Sequence, residues 1–533
     1  MKKGSMIFAV AAVLFVCGCN QNPQTVAMTT PAATKFEIQE RLPGSLTPEF
    51  IPTPTPEPTS TATFVPTPAL EPTPTEGTIP TEAPVVTPTM TPTPTLTPTP
   101  TPEPTATVAP TKTVNPLEGE LWRELYKEDT KNRMTLSEIS SLNEHNFRAK
   151  GTSLVKLSEL EQMKASNVMQ MIESYSFPKK KYYGNEVISE KTKTAILKLR
   201  NLDVLPKQGN AELKFGVLVQ NAELRSFPAE KPLTSVPNGR YDYLQETVLH
   251  LNEAVVVLHT SADGAWCFVQ GENYYGWIRE ETIAYCEKET MQKHYEALLD
   301  TENKNILLVT KNVKYRPEAD VEYPLRMGTK LFCETKENGE CLASVPVRDG
   351  DKQLQTKQYP ISLEEKSEAS FHCGYLPYTT SNVVTLATGL LDTPYAWGDS
   401  LPYKEYYSYS SETGMDCSST VAAVYRCLGF VVPRNTGTQR ASVWTGETVS
   451  NYKIKQKKEM LEQLQAGALL YSPGHVMLYL GSYEGEYYVL HNTTTEFLSD
   501  GTEKSYYGCV ISPMSLGKKG NIILEQISEV KVP

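Results

Sequence analysis

Two sequence segments near the C-terminus decide the fold of this chain, and the first of them starts at residue 392. It reads DTPYAWGDS over residues 392–400 and TGMDCSSTVAAVYRCLGFVVPRNTGTQ over residues 413–439. After Cys417 the apolar side chains recur at three- and four-residue spacing, which defines one face of a helix; they are Val421, Val424, Tyr425 and Leu428. Gly429 is a typical helix stop. We therefore predict a helix with Cys417 in its first turn.

The predicted position of Cys417 has chemical consequences. The first N–H groups of a helix and the positive end of its dipole stabilise a thiolate, so we expect a lowered pKa for this thiol. The same N–H groups can stabilise a developing oxyanion. Cys417 is therefore the candidate nucleophile.

The second segment, GALLYSPGHVMLYLGSYEGEYYVLHNTT over residues 467–494, predicts a β-hairpin with its turn at Glu484 and Gly485. His475 starts the first strand and His491 ends the second, so the hairpin places both imidazoles at one end of a sheet. A thiol nucleophile needs a base, and the base needs an orienting partner. We predict His475 as general base and acid and His491 as its orienter, with Asn492 a less favoured substitute.

Two other interpretations of these residues stay open on spacing alone. Cys417 could be a buried structural cysteine with incidental histidines, or Asp416, Cys417 and the two histidines could bind zinc. Adjacent ligands at a helix start are geometrically awkward, and the sequence contains neither a CxxC nor an HExxH pattern. We expect no metal and no cofactor.

The N-terminus is a targeting segment. Lys2 and Lys3 precede an apolar run over residues 6–16, which is too short to span a bilayer and matches the apolar core of a secretory signal. The run ends VCGCN, which resembles the lipobox of bacterial lipoproteins and implies lipidation of Cys19 after cleavage. Cys17 is a weaker acceptor, and an ordinary signal peptide is the alternative.

A proline-rich spacer follows. Twenty of the chain's 39 prolines lie between Pro48 and Pro116, in repeats such as TPTPTLTPTP. Such a stretch cannot form a packed core, and as polyproline II it could extend on the order of 200 Å. An O-glycosylated stalk is compatible with the same composition. The net charge of −11, without a basic patch, argues against nucleic-acid binding.

The middle of the chain changes periodicity. Residues 116–209 show helical spacing, as in LSELEQMKASNVMQMIESY. Short strands such as AVVVLHTS, WCFVQGE and YGWIREE follow, which predicts a small β-barrel. Cys333 and Cys341 flank an Asn338-Gly339 turn that would place Cys341 opposite Lys336, so we expect no disulfide between them.

These motifs together resemble a known family. PYAWGDS, MDCSST, VPRNTGTQ, GHVMLYLG and VLHNT occur in the order found in NlpC-type, papain-like bacterial cell-wall cysteine peptidases. The run from NAELRSFP to ENYYGWI resembles their first bacterial SH3-like domain, and residues from about 305 to 376 are a poorer match to a second one. The resemblance covers nearly all of the folded chain.

The resemblance implies an activity and site roles. It implies hydrolysis of the γ-D-glutamyl–diamino acid bond of peptidoglycan stem peptides, with Cys417, His475 and His491 as nucleophile, base and third polar residue. It places further residues along the substrate groove: Tyr395, Asp416, Ser418, Arg434 and Thr436. Asp416, together with a residue of the first SH3-like domain, would hold the free amine of an N-terminal L-Ala. Met477 replaces a Gly common in relatives, and a tyrosine-rich insertion at residues 404–413 could shape the groove.

The predicted class is an α+β fold with a papain-like catalytic domain behind two SH3-like barrels. The segments are the lipoprotein signal (1–19), a disordered Pro/Thr linker (20–115), a helical N-terminal domain (116–209), the two SH3-like domains (210–290 and 300–380) and the NlpC-type peptidase domain (381–533). We expect a lipid-anchored, extracytoplasmic enzyme that faces the cell wall, with peptidoglycan stems and the membrane as partners. The alternatives are an idle wall-binding lipoprotein and a papain-like acyltransferase or amidase.

Overall fold

The structure is a computed structural model that describes residues 115–336, 341–361, 370–400, 414–498, 500–518 and 520–533. The predicted signal, Cys19 and most of the Pro/Thr linker lie outside the described residues, as does the tyrosine-rich insertion. In the described ranges, no helix combines the length and the apolar character needed to cross a membrane.

The described part begins with four helices and a short hairpin. They are α1 (Gly119–Tyr126), α2 (Leu136–Arg148), α3 (Ala165–Glu173), β1 (Tyr182–Tyr183), β2 (Glu186–Val187) and α4 (Glu190–Leu199). Thr135 caps α2 in a capping box with Glu138, and Ser189 caps α4. Local sequence therefore fixes where both helices start.

These helices are divided between two cores. Trp122 of α1 and Ile139 of α2 are fully buried against the C-terminal domain, and the ring of Trp122 lies 5.3 Å from that of Tyr488. Ile172 of α3 and Ile196 of α4 pack instead into the core of the first barrel. The segment 116–209 therefore ties the barrel and the catalytic domain together.

The first barrel is a seven-stranded antiparallel sheet in the order β10-β3-β7-β8-β9-β4-β6. Its strands are β3 (Lys214–Leu218), β4 (Ala222–Arg225), β6 (Gln245–Leu249), β7 (Ala254–Thr260), β8 (Trp266–Gln270), β9 (Tyr275–Arg279) and β10 (Ile283–Cys286), while β5 (Leu233–Thr234) pairs with β1. Phe268 and Trp277 are buried in its core.

A second β unit follows α5 (Lys288–Leu299). It consists of β11 (Ile306–Val309), β12 (Val313–Glu318), β13 (Val321–Leu325), β14 (Lys330–Thr335), β15 (Cys341–Arg348), β16 (Leu354–Ile361) and β17 (Phe371–Cys373). Five strands form one sheet, β16-β15-β14-β11-β17, and β12 and β13 form a separate ribbon. The register pairs Cys341 with Thr335, so the expected pairing with Lys336 is wrong by one residue.

The C-terminal domain packs helices on a six-stranded sheet in the order β18-β25-β19-β20-β21-β22. Its elements are α6 (Thr380–Thr388), α7 (Cys417–Arg426), α8 (Thr436–Arg440), β18 (Thr445–Thr448), α9 (Ile454–Leu461), β19 (Leu469–Ser472), β20 (His475–Tyr483), β21 (Glu486–Phe497), β22 (Glu503–Pro513), β23 (Gly517–Lys518), β24 (Asn521–Ile522), α10 (Ile523–Gln526) and β25 (Glu529–Val532). The fold is α+β, as predicted.

Candidate active site

The candidate nucleophile lies at the start of a buried helix. Helix α7 begins at Cys417, and the N-cap residue Asp416 accepts a hydrogen bond from the Ser419 backbone N–H at 2.9 Å. Gly429, with φ +89°, lies just beyond the helix end, where an L side chain would be strained. The thiol is buried, 3.9 Å from the Thr436 hydroxyl.

The two histidines of the hairpin are in direct contact. Glu484 and Gly485 both have positive φ, which suits the two-residue turn that joins β20 and β21. His475 begins β20, but His491 lies inside β21, which continues to Phe497 and does not end at this histidine as predicted. His475 Nε2 and His491 Nδ1 lie 2.8 Å apart, and His491 Nε2 lies 3.1 Å from the Ser512 hydroxyl. Because His491 contacts Nε2 of His475, the other ring nitrogen, Nδ1, is the one positioned for proton transfer. Asn492 is fully buried and donates to the Thr393 carbonyl instead, at 3.4 Å.

Burial determines the ionisation of this group. It raises the pKa of the Cys417 thiol to about 11, with a further rise from the Asp416 carboxylate, while the Val476 N–H and the Thr436 hydroxyl act in the opposite direction. Burial also lowers the pKa of His475 to about 4. The position at a helix start predicts a lowered pKa for Cys417. The thiol loses its hydrating water on burial, and this raises the pKa by more than the helix start lowers it. Cys417 and His475 therefore rest as a neutral thiol and a neutral imidazole.

We predict an unusual acid limit for catalysis. Because the pKa of His475 is depressed to about 4, the neutral base persists in acid, and kcat at saturating substrate should be lost only as the pH falls through about 4. The measurement is a pH profile of kcat on a stem tripeptide. A midpoint near the ordinary histidine value, about 6.5, would contradict this ionisation state.

Asp416 belongs to a buried ion-pair network. Arg434 donates to both carboxylate oxygens of Asp416, at 3.1 and 2.8 Å, and its Nη2 lies 3.3 Å from Asp399. Although burial acts to raise the pKa of Asp416, the Arg434 guanidinium holds it below its usual value. Asp399 also accepts the Asp416 N–H at 3.0 Å. The network fixes the start of α7, and with it Cys417.

The remaining groove residues fall into two sets. Tyr395 is partly buried, and its pKa is raised well above the ordinary value by burial and by the nearby Cys417 and Asp416. Tyr395 and Thr436 thus lie beside the nucleophile. Arg434 and Ser418 are only 3% and 5% exposed, and both bind Asp416. Arg434 and Ser418 therefore lie behind the Asp416 carboxylate and do not line an open groove.

Glu246 and Tyr274 of the first barrel join the site. The resemblance implies a contribution from the first SH3-like domain, but the sequence does not indicate that these two residues supply it. The Tyr274 hydroxyl donates to Glu246 at 2.6 Å, and the Asn435 side chain reaches that hydroxyl at 3.4 Å. Burial raises the pKa of Glu246 to about 7. Arg434 also donates to Thr247 on the same strand, at 2.5 Å. The barrel therefore forms one wall of the candidate active site.

The second β unit also contacts the active-site loops. Arg326, 1% exposed, donates to the carbonyls of Gly414 and Asp399, at 2.9 and 2.7 Å. Metal-ligating atoms are not clustered at the active site: in the described part of the chain, the one such group of three is made by cysteines of the second β unit.

Comparisons with known proteins agree with this architecture. Residues 392–510 match the NlpC/P60 family and residues 231–279 match the SH3 domain of the SH3b1 type. Over 100 residues the chain is 32% identical to Dipeptidyl-peptidase 6 of Lysinibacillus sphaericus, a stretch that covers 19% of this chain and 29% of that protein. The match thus spans less than a third of the curated relative.

Solved structures extend the fold comparison. An NlpC/P60 endopeptidase from Photobacterium damselae subsp. piscicida is similar with a TM-score of 0.58 and 16% identity, covering 78% of this chain and 96% of that chain. An NlpC/P60 family protein from Bacillus cereus ATCC 10987 aligns with a TM-score of 0.39 and 18% identity, covering 60% and 99%. Residues 392–510, which contain Cys417, His475 and His491, form a domain of the NlpC/P60 cysteine peptidase family, and an SH3 domain of the SH3b1 type precedes it.

Proposed function

We propose that this protein is a peptidoglycan hydrolase that cleaves the γ-D-glutamyl–diamino acid bond of stem peptides. The observation that carries the proposal is the row of contacts from His475 through His491 to Ser512, with the adjacent Val476 N–H directed at the thiol of Cys417 at a helix start, within an NlpC/P60 domain. The name of the curated relative, a dipeptidyl-peptidase, supports release of a dipeptide from a peptide end.

The mechanism follows from the neutral resting pair. Cys417 attacks the γ-glutamyl carbonyl carbon as its proton passes to Nδ1 of His475, because a thiol with a pKa of about 11 is not ionised beforehand. Helix-start N–H groups, which lack intrahelical acceptors, stabilise the oxyanion. The imidazolium then protonates the departing amine, and the same nitrogen activates the water that hydrolyses the thioester. His491 orients His475 throughout.

We propose Glu246 as the group that receives the ammonium of an N-terminal L-Ala. The resemblance assigns this role to Asp416 and an unspecified residue of the first SH3-like domain, and Arg434 already forms an ion pair with Asp416. Glu246 accepts a hydrogen bond from the Tyr274 hydroxyl, and burial raises its pKa although that hydrogen bond and the charge of Arg434 act in the opposite direction. A substrate ammonium would add a positive charge directly at this buried carboxylate.

Glu246→Gln is expected to discriminate between substrates. It should raise KM about tenfold or more for L-Ala-γ-D-Glu-diaminopimelate, because a charge-assisted hydrogen bond contributes roughly 1.5–3 kcal/mol. For the wild type, KM should rise as the pH falls through about 7, where Glu246 loses its charge. The measurement is KM for the free and the N-acetylated tripeptide; an equal effect of the substitution on both would contradict the assignment.

The proposed hydrolysis has a direct test. Incubation with the stem tripeptide should release a new primary amine, and iodoacetamide should stop the release while EDTA should not, since the nucleophile is a thiol. Release that survives complete alkylation, or that EDTA abolishes, would refute a cysteine peptidase.

We also propose that the chain is lipid-anchored at Cys19 and acts outside the cytoplasm. The VCGCN motif after an apolar run supports the anchor, and the following Pro/Thr stretch supports a spacer toward the wall. Fractionation of cells that express Cys19→Ser should move the protein from the membrane to the soluble fraction. Unchanged membrane retention would exclude Cys19 as the anchor.

A further inference from the structure

Three cysteines converge in the second β unit, outside the candidate active site. Cys333 lies on β14, Cys341 on β15 and Cys373 on β17. Their three sulfur atoms all lie within 4.8 Å of one another. No function described above uses these thiols.

We propose that Cys333, Cys341 and Cys373 form a three-thiolate site for a thiophilic divalent cation of the Zn²⁺ class. Zinc–thiolate bonds are about 2.3 Å long, so sulfurs around a tetrahedral zinc stand about 3.8 Å apart. A separation below 4.8 Å is therefore compatible with one shared ion after small side-chain rotations.

Strand register favours a shared ion over a disulfide between the two hairpin cysteines. Cys333 pairs with Ala343 and Cys341 pairs with Thr335, so the two cysteines occupy diagonal positions. Diagonal Cβ atoms lie roughly 7 Å apart, whereas a disulfide needs about 3.8 Å. A metal ion can bind two sulfurs whose Cβ atoms are this far apart. It also binds the third thiol, that of Cys373, which has no role in a disulfide between Cys333 and Cys341.

The surroundings of the cluster are those of a structural metal site with an entry path. Cys333 and Cys341 are 6% and 0% exposed, in a core with Leu307, Leu331 and Ala343. Cys373 is partly exposed and lines a cavity of about 770 Å³ together with other residues, among them Asn305, Thr335 and Gly374. An ion can enter from that cavity, and water from it can occupy the fourth position.

Binding must displace protons. A thiol gives up its proton when it binds a divalent cation as a thiolate. The balanced step is M²⁺ plus three thiols giving a tris-thiolate complex of charge −1 and three protons. Affinity should therefore increase with pH.

The test is a Cd²⁺ titration of the full chain that carries Cys417→Ala, so that the active-site thiol adds no metal–sulfur absorption. We expect thiolate-to-metal charge-transfer absorption that saturates at one equivalent. Adding Cys373→Ser should weaken binding at least tenfold, whereas adding Cys286→Ser, a partly buried thiol of the first barrel, should change nothing. Absence of a saturable band, or equal binding by the Cys373→Ser variant, would overturn the site.

A second measurement protects the test against misfolding. Zn²⁺ should raise the midpoint of thermal unfolding of the parent chain and of the Cys286→Ser variant, and leave the midpoint of the Cys373→Ser variant unchanged, because only an ion that binds the folded state stabilises it. Peptide mapping without reduction that finds two of the three cysteines joined as a disulfide would also overturn the proposal.

Discussion

Cys417→Ala is expected to lower kcat for stem-tripeptide hydrolysis by a factor on the order of 10⁴–10⁶, which is the scale seen when a covalent nucleophile is removed. The fold should be retained, because the side chain is small and α7 is fixed by Asp416 and its network, not by the thiol. The measurement is single-turnover hydrolysis together with circular dichroism of the variant.

A matched thiol makes this result specific. Cys286→Ser removes another thiol whose pKa burial raises to about 11, but this one lies on β10 of the first barrel. It should retain wild-type kcat. Undiminished turnover by the Cys417→Ala variant, or equal losses in both variants, would refute the role of Cys417 as nucleophile.

Arg434→Met is expected to reduce the free energy of unfolding by about 3–5 kcal/mol, since it leaves two buried carboxylates without their shared cation. Arg434 is 3% exposed and binds both Asp416 and Asp399. Arg434→Lys should reduce the free energy of unfolding by less, because lysine keeps the positive charge although it cannot form the bidentate contact with Asp416. Urea unfolding of all three proteins measures the differences.

An exposed ion pair provides the control. Arg148 binds Glu159 with two contacts at 2.8 and 2.5 Å, but its side chain is 63% exposed. Arg148→Met should have no measurable effect on stability, as is common for surface pairs. Similar unfolding curves for Arg434→Met and Arg148→Met would show that the buried network does not hold the start of α7.

Much of the site could be predicted because its signals are local. The apolar spacing after Cys417 predicted the helix that starts there, and the Glu484-Gly485 turn predicted that His475 and His491 meet across one hairpin. Each depends on a pattern contained within about 25 residues, where periodicity of helices and strands is most informative. The sequence did not indicate that β21 continues past His491 to Phe497.

The parts that sequence reasoning missed depend on contacts between distant segments. Glu246 reaches the site because Tyr274 of the first barrel contacts Asn435, the residue that precedes α8. The Arg434 network forms only when the segments around Asp399 and Asp416 come together. The pKa of Cys417 was predicted in the wrong direction for a related reason. Helix position is visible in a sequence, but the burial that dominates here comes from tertiary packing.

The N-terminal helices show the same limit. Their amphipathic spacing predicted helices correctly, but not that α1 would pack on the catalytic domain while α3 joins the first barrel. An apolar face specifies that it will be covered, and tertiary packing decides by which partner.

The most direct test of the proposed chemistry is the mass of the products from L-Ala-γ-D-Glu-diaminopimelate. The wild-type protein should yield the dipeptide L-Ala-γ-D-Glu and free diaminopimelate, each in equal amount, and the Cys417→Ala variant should leave the tripeptide intact. Free L-Ala, a transfer product that retains the acyl group, or an intact tripeptide after incubation with fully folded wild-type protein would contradict cleavage of the γ-glutamyl bond by Cys417.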